Sequence, residues 1–378
     1  MLGFVSLMMD VSSEIVHSLL PVFLTTTIGV SVAFVGLIDG VAESTASIVK
    51  IFSGYLSDRI RRRKPFILLG YGLAAVSKPF FPLAHGVPLV LGARFADRIG
   101  KGLRGAPRDA FIADVTPLDI RGRAYGLRQS LDTTGAFLGP LLAIALMLLF
   151  AGDMRAVFWV ATIPAGLAVL LITLGVKDRA REINATDARP PIRIVDIGGL
   201  GRRYWRVAIL GVMFSLARFS EAFLILKVSR EGLPMVLVPL VLVVMNIVYA
   251  LGAYPAGILS DSRGPARLLL SGLGMLITAD LVLAFSSSIA GSFVGIALWG
   301  MHMALTQGLF AKLVAENAPG SLRGSAFGLF NLLTGLALLV ASVVAGLAWD
   351  YISPAATFLI GAGCATAAGV MTLRWNQS

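Results

Sequence analysis

The chain has 378 residues, of which 57% are hydrophobic and only 14% are charged, with a mean hydropathy of +0.84. Because about a quarter of the residues in soluble domains are charged, this composition excludes an ordinary soluble protein. The formal net charge is +11, but the basic residues lie mainly in short segments between apolar stretches, so we expect no nucleic-acid partner. The single cysteine, Cys364, excludes an internal disulfide and a cysteine-based metal cluster. We expect no metal site and no cofactor.

Twelve apolar stretches along the chain are long enough to cross about 30 Å of hydrocarbon as helices. The predicted spans cover residues 2–28, 32–57, 65–84, 88–113, 121–150, 156–176, 206–228, 233–260, 267–287, 289–316, 322–349 and 352–374. Most connections are short, so consecutive helices are expected to be antiparallel neighbours. Residues 177–205 differ because they are polar and contain Pro190 and Pro191. We predict an all-α polytopic membrane protein with a six-helix bundle at 1–176, a cytoplasmic linker at 177–205 and a second six-helix bundle at 206–378.

The distribution of Lys and Arg predicts the orientation of these spans. One side carries most of the basic loop residues: Arg59, Arg61, Arg62, Arg63, Lys64, Arg121, Arg123, the basic residues of the linker, Arg263, Arg267, Arg323 and Arg374. The opposite side shows little beyond Arg155 and Arg230. Since cytoplasmic loops are enriched in Lys and Arg, we expect this side and both termini to be cytoplasmic, in a bacterial-type inner (plasma) membrane. The first span has no charged leading segment and contains Asp10 and Glu14, so we expect no cleaved signal peptide.

Two sequence patterns occur once in each half of the chain. Gly54-Tyr-Leu-Ser-Asp58-Arg returns as Gly257-Ile-Leu-Ser-Asp261-Ser, 203 residues later. The stretch from Pro117 to Leu127 returns from Pro319 to Leu329, 202 residues later. Chance similarity between apolar sequences gives no constant offset. The pattern therefore predicts two homologous six-helix halves, an architecture typical of transporters that bind their solute between the repeats.

At these residues the chain resembles the major facilitator superfamily, and the resemblance extends over nearly its whole length. The first pattern is similar to the family's loop motif between helices 2 and 3, although Arg61 stands where a second glycine is usual. The resemblance implies twelve helices in two pseudo-repeats and a latch that joins the halves on the cytoplasmic side when the protein faces outward. The residues that match this gate are Gly54, Asp58, Arg59, Arg62, Arg63, Gly257 and Asp261.

The fourth predicted span carries a row of basic residues. Arg94, Arg98, Lys101, Arg104 and Arg108 are three or four residues apart, so they share one face of a helix. Ionisable groups inside a membrane are costly and usually functional, and we expect this face to bind a negatively charged group of the solute. Arg98-Ile-Gly-Lys101-Gly also resembles a helix-4 motif of the family, with Lys101 in place of the usual Gln, and the resemblance implies a role for Arg98 in proton coupling.

The fifth span contains a glycine pattern. Gly126, Gly135, Gly139 and Pro140 match the family's antiporter motif, except that its closing glycine pair is missing. Gly135 and Gly139 form a small-xxx-small face that lets a neighbouring helix approach closely, and Pro140 can bend the helix. Ordinary tight packing is the alternative explanation. The resemblance implies exchange rather than symport and favours export.

Carboxylates in the first two spans are the candidate proton carriers. Asp10 and Glu14 are one helical turn apart, as are Asp39 and Glu43. Such groups can load and release a proton near neutral pH, although each can instead pair permanently with a cation of the fourth span. His17 shares the face of Asp10 and Glu14, and we expect it to contribute to solute binding together with His302 in the tenth span.

The second half holds fewer charges. Its tenth span is the repeat partner of the fourth but has lost nearly all of the charge, and Asp280 is alone in the ninth span. We therefore expect the chemistry to be concentrated in the first half, with the second half mostly forming walls.

The pattern predicts a secondary active transporter that exchanges protons for a small anionic or zwitterionic solute by alternating access, most simply an exporter. Its expected partners are the solute, protons and the lipid bilayer, and we expect a monomer.

Proton-coupled uptake of an organic anion or a transition metal is the alternative, since Asp10, Glu14, His17 and Met301-His302-Met303 are possible metal-ligand types. A membrane enzyme is disfavoured because the sequence has no H-E-x-x-H, nucleophile elbow or P-loop. A transporter-like sensor is a further alternative.

Overall fold

The computed structural model describes residues 1–60, 62–117, 120–176, 199–263, 265–306, 309–319 and 322–375. The first half of the chain contains α1 (Leu2–Val22), α2 (Val32–Ile60), α3 (Lys64–Ser77), α4 (Val87–Val115), α5 (Arg121–Leu149) and α6 (Met154–Gly175). The second half contains α7 (Arg202–Ala217), α8 (Ala222–Arg230), α9 (Leu240–Arg263), α10 (Pro265–Phe285), α11 (Ile289–Thr306), α12 (Leu309–Asn317), α13 (Arg323–Tyr351) and α14 (Pro354–Trp375). The described ranges are otherwise made of short helical turns and loops, so the predicted all-α fold is confirmed.

Most of these helices are built to cross a membrane. Within the described residues, ten helical stretches are long and apolar enough to do so. Two further predicted spans correspond to α3 and α4, and α4 falls outside that criterion because of its row of charged residues. The helical polytopic membrane fold predicted from hydropathy is thus present, with α4 as its polar exception.

Two predicted spans are interrupted helices. The third span, predicted as 65–84, ends its α-helix at Ser77 and continues as a 3₁₀ turn at Lys78–Phe80, because Pro79 cannot donate the next backbone hydrogen bond. The seventh, predicted as continuous over 206–228, is divided into α7 and α8. The tenth span, predicted over 289–316, is described as α11 and α12 on either side of positions 307 and 308, which lie outside the described residues.

Local sequence explains how the helices end. α1 continues as a π-helical turn at Phe23–Thr27, where the hydroxyls of Thr25 and Thr26 donate to the carbonyls of Pro21 and Val22 at 3.1 and 2.7 Å. Both hydroxyls thereby find acceptors within the helix itself, where no water is available in a membrane.

The turn from α5 to α6 is tight. Its backbone has positive φ at Ala151 and Gly152. Asp153 then caps α6, because its side chain accepts hydrogen bonds from the amides of Arg155 and Ala156 at 2.9 and 3.3 Å.

The packing of the chain forms two compact units. The first comprises Met1–Ile28 and Thr45–Pro191, and the second comprises Gly29–Ser44 and Ile192–Ser378. In the first unit α1 packs against α5 and α6, and α3 packs against α4. Its apolar core includes Met9, which is fully buried. This arrangement fixes the polar faces of α1 and α4 inside the unit.

The core of the second unit is aromatic. The Phe219 ring lies 5.1 Å from that of Trp299, 5.4 Å from that of Phe223 and 5.6 Å from that of Phe358. Trp349 extends the cluster, 6.0 Å from Phe223. Offset and edge-to-face ring pairs of this kind add to the stabilisation that comes from burial.

Candidate functional site

The first unit buries most of the basic face of α4. Arg94, Arg98, Arg104 and Arg108 are buried, whereas Lys101 is exposed. The helical spacing therefore predicted the shared face, but Lys101 occupies its solvent-accessible edge. Buried guanidinium groups require hydrogen-bond acceptors or counter-ions, and those of α4 are supplied by α1, α3 and α5 and by carboxylates of α4 itself.

Lys78 and Asp97 form the most deeply buried ion pair of this region. Their Nζ and Oδ1 atoms are 2.8 Å apart, and both side chains are almost fully buried. Lys78 also donates to Ser13 Oγ at 3.0 Å, and Arg98 Nε lies 3.3 Å from the second Asp97 oxygen. Asp97 thus neutralises two cations at once. Sequence reasoning missed this pair, although a lysine beside a proline in an apolar span is a signal that marks Lys78.

Arg108 is the centre of a second network. Its Nη1 donates to Ser6 Oγ at 2.5 Å and to the Tyr71 hydroxyl at 3.4 Å. Its Nη2 lies 3.7 Å from Asp132 Oδ2, which Arg128 also contacts at 2.5 Å. Asp132 and Arg128 are one turn apart on α5 and were not among the predicted site residues. Asp109 of α4 also contacts both guanidinium groups, at 3.3 Å from Arg108 Nε and 3.4 Å from Arg128 Nη1, so the two cations share two carboxylates.

Arg104 differs from its neighbours in how it is held. Its guanidinium carbon lies 4.7 Å from the centre of the Tyr71 ring, a cation–π contact. The side chain is only 5% exposed, and its Nη1 has no hydrogen-bond acceptor among the described residues. Arg104 is thus a buried cation with an unused donor, which is the chemistry needed to bind an anion.

His17 joins the basic face directly. Its Nδ1 lies 3.0 Å from Arg94 Nη2. A guanidinium only donates hydrogen bonds, so Nδ1 is the acceptor and the imidazole carries its proton on Nε2. The structure therefore brings together two residues predicted to bind solute.

The acidic face of α1 packs against the glycines of α5. A Cβ atom at Gly135 would lie 2.9 Å from the Asp10 Cβ, and one at Gly139 would lie 2.5 Å from the Glu14 Cβ. Only glycine permits this approach. Gly126 has open space around it instead. Two glycines of the antiporter-like motif thus hold α5, which includes Pro140, against the predicted proton carriers.

The gate residues of the first half are only partly assembled. A Cβ at Gly54 would lie 3.1 Å from the Ala106 Cβ, and Arg63 Nε forms an ion pair with Asp114 Oδ2 at 2.5 Å. Arg59 and Arg62 are exposed. The side chain of Asp58 and the side-chain positions of Gly257 and Asp261 lie outside the described part of the structure.

Asp39 lies in a different compact unit from Asp10 and Glu14. It is buried in the second unit, where Ser220 Oγ donates to its Oδ2 at 2.8 Å. Ser220 Oγ also accepts from the Ala222 amide at 3.2 Å, and the Ser220 amide donates to Ser342 Oγ at 3.2 Å. These contacts satisfy backbone groups at the break between α7 and α8. Glu43, one turn from Asp39, is half-buried in the same unit.

His302 is fully buried in the second unit. Its Nδ1 donates to the Gly272 carbonyl at 2.8 Å, and its ring stacks on Phe214 with centroids 5.1 Å apart. The predicted solute ligand of the second half is therefore part of the aromatic packing. Among the described residues, no cluster of His, Cys, Asp and Glu is arranged to hold a metal ion.

Known proteins resemble this chain along its length. The sequence profile described as the Major Facilitator Superfamily matches residues 2–342 and, in a second alignment, 237–377. An uncharacterized MFS-type transporter of Methanocaldococcus jannaschii is 32% identical over 99% of this chain and 93% of its own. The class C tetracycline resistance protein of Escherichia coli is 28% identical over 81% and 80%. The crystal structure of a nucleoside transporter superposes with a TM-score of 0.81 at 13% identity, covering 99% of this chain and 98% of the other.

Proposed function

Because the chain belongs to the Major Facilitator Superfamily, we propose that it exchanges protons for a small anionic or zwitterionic solute by alternating access. Transporters of this family carry small-molecule solutes, typically as monomers, and their fold is typically non-enzymatic. The proposal for this chain adds the charge of the solute, the coupling ion and the direction, which is export.

The observation that carries the proposal is the excess of buried cations in the first unit. Lys78 and Arg98 share the single carboxylate of Asp97, whereas Arg108 and Arg128 share Asp132 and Asp109. Arg104 has the unused donor described above. A buried positive cluster of this kind is stabilised by a negative partner, so an anionic group of the solute is the natural ligand of Arg104.

The coupling role is assigned to Asp10 and Glu14 because they lie on the helix that faces the same cations. Asp10 interacts electrostatically with Arg104, Arg108 and Asp132. Binding of an anion near Arg104 removes positive charge from the surroundings of Asp10 and so favours its protonated form. Release of the anion has the opposite effect, which links the two ligands by electrostatics.

Two observations support export. Gly135 and Gly139, which match glycines of the family's antiporter motif, pack directly on Asp10 and Glu14. The class C tetracycline resistance protein, whose name indicates resistance to a drug, is similar over 81% of the chain. The excess of basic residues in the loops of one side supports a cytoplasmic location for that side and for both termini, in a bacterial-type inner membrane.

The test is proton movement in proteoliposomes with an internal pH dye and an imposed pH gradient. The panel contains organic anions, zwitterions, cationic drugs and divalent metals, each given to wild type and to the Asp10→Asn, Glu14→Gln variant. We expect anions or zwitterions to dissipate the gradient with wild type only. If cations or metals do so instead, the assigned charge is wrong, and if the variant equals wild type, the coupling residues are wrong.

A further inference from the structure

The second unit contains a carboxyl group that the proposed site does not use. Asp280 on α10 is 0% exposed, and neither of its side-chain oxygens has a hydrogen-bond partner among the described residues. The Cys364 thiol on α14 interacts electrostatically with the Asp280 carboxyl group.

The position of Asp280 relates it to the break in the seventh span. A Cβ atom built on Gly361 of α14 would lie 2.8 Å from Asp280 Oδ2, 2.9 Å from Phe219 Cε1 and 3.4 Å from the Ala217 carbonyl oxygen. Ala217 is the last residue of α7, and Phe219 lies within the break. The carboxyl group is therefore enclosed between α10 and α14, beside the end of α7.

Other polar groups around the break do not neutralise this carboxyl. Arg218 interacts with Glu221 and Tyr249, and it also acts on His302. The C-terminal end of α7 carries the negative pole of the helix dipole, which further disfavours a carboxylate beside Ala217. An ionised group without a partner in apolar surroundings is costly, and a proton is the smallest ligand that removes the charge.

We propose that Asp280 is a second proton-binding site, loaded in the present arrangement and unloaded when the α7–α8 break rearranges and admits water. In the unloaded state the carboxyl proton passes to water and leaves a hydrated carboxylate. Discontinuous membrane helices are places where transporters hold coupling ions, and the polar contacts of Ser220 with Asp39 and Ser342 lie at the same break. Proton binding itself is independent of the solute, whereas its coupling to transport rests on the proposed function.

The experiment is infrared spectroscopy of the full-length protein in lipid vesicles, without solute and with ¹³C-labelled aspartate. A protonated carboxylic acid has a C=O stretching band that a carboxylate lacks. We expect the difference between wild type and Asp280→Asn to contain this band at neutral pH. The band should shift in D₂O and disappear as the pH is raised. Asp153→Asn, at the exposed cap of α6, is the matched control and should reveal no such band.

Three results overturn the proposal. A missing band means that Asp280 is ionised. A band that responds neither to pH nor to D₂O means a permanently neutral structural carboxyl. A band that disappears on addition of sodium at constant pH means a sodium site.

If Asp280→Asn does not fold, Gly361→Ala is the second variant, because its methyl group must displace Oδ2 and shift the band of a protonated Asp280.

Coupling is measured separately in the proteoliposomes. Asp280→Asn should still move solute but with fewer protons per solute than wild type. An unchanged ratio overturns the coupling role of Asp280. A wild type that moves no protons with any solute contradicts the proposed function instead, and the infrared result is unaffected.

Discussion

The two units of this protein bury polar groups in opposite ways. The first encloses several cations around shared carboxylates, as in the contacts of Lys78 and Arg98 with Asp97. The second is built on tilted and edge-to-face aromatic rings and encloses Asp280 without a counter-ion among the described residues. Paired charges hold a defined geometry and respond to the charge of a ligand, whereas an isolated carboxyl responds to hydration. We propose on this basis that the first unit recognises the anionic solute and that the second contributes a hydration-sensitive element.

The sharpest contrast is between two buried aspartates. Asp97→Asn removes the carboxylate that pairs with Lys78 and leaves a buried charge uncompensated, so we expect a loss of roughly 3–5 kcal/mol in unfolding free energy. Asp280→Asn replaces one neutral group by another and should change stability by less than about 1 kcal/mol. Unfolding of the purified variants in denaturant measures both. Equal losses would show that the two units do not differ in this way.

The contact between α1 and α5 gives the next largest effect. Gly139→Ala places a methyl group 2.5 Å from the Glu14 Cβ, and we expect a loss of about 1–3 kcal/mol from overpacking together with slower exchange. Gly126→Ala is the matched control, because nothing lies within 4 Å of its Cβ position. Thermal unfolding and solute flux check both variants. Similar effects at the two glycines would show that the loss of stability does not come from the contact between α5 and α1.

Anion binding in the first unit is tested at Arg104. Arg104→Met keeps the contact with Tyr71 but removes the charge, so we expect roughly tenfold weaker solute binding, about 1.4 kcal/mol. Arg155→Met is the control, since Arg155 also makes a cation–π contact, at 5.3 Å from the Phe23 ring, but bonds the Pro82 carbonyl. Isothermal titration with the solute found in the proteoliposome screen is the measurement. Unchanged affinity in Arg104→Met would remove Arg104 from the site.

The smallest effect is expected at the α7–α8 break. Ser342→Ala removes the acceptor of the Ser220 amide and should cost about 1 kcal/mol. Ser286→Ala is a comparison at an exposed turn, where the hydroxyl bonds Ser288, and we expect a smaller change. Hydrogen exchange of the Ser220 amide reports the local effect directly. Exchange as slow as in wild type would mean that this bond does not stabilise the break.

The sequence predicted the parts of this structure that depend on periodicity. Steps of three and four residues indicated the shared face of α4, and the glycine spacing indicated the close approach to α5. Lys78 and Asp97 are 19 residues apart on neighbouring helices, and a single sequence does not determine the axial register of two helices. The break after Ala217 contains neither Pro nor Gly. It depends on hydrogen bonds that Ser220 donates to Asp39 and Ser342, which are distant in sequence.

The most direct test of the central claim is the charge preference of the first unit. Pairs of solutes that differ only as carboxylate and amide are compared by ligand-induced stabilisation of wild type and Arg104→Met. Ligand that binds the folded state at about 100 times its Kd stabilises by roughly 2.7 kcal/mol. We predict that a carboxylate stabilises wild type, that its amide does not, and that Arg104→Met loses the difference. Equal stabilisation by the two members of every pair, or an unchanged preference in Arg104→Met, would contradict the account.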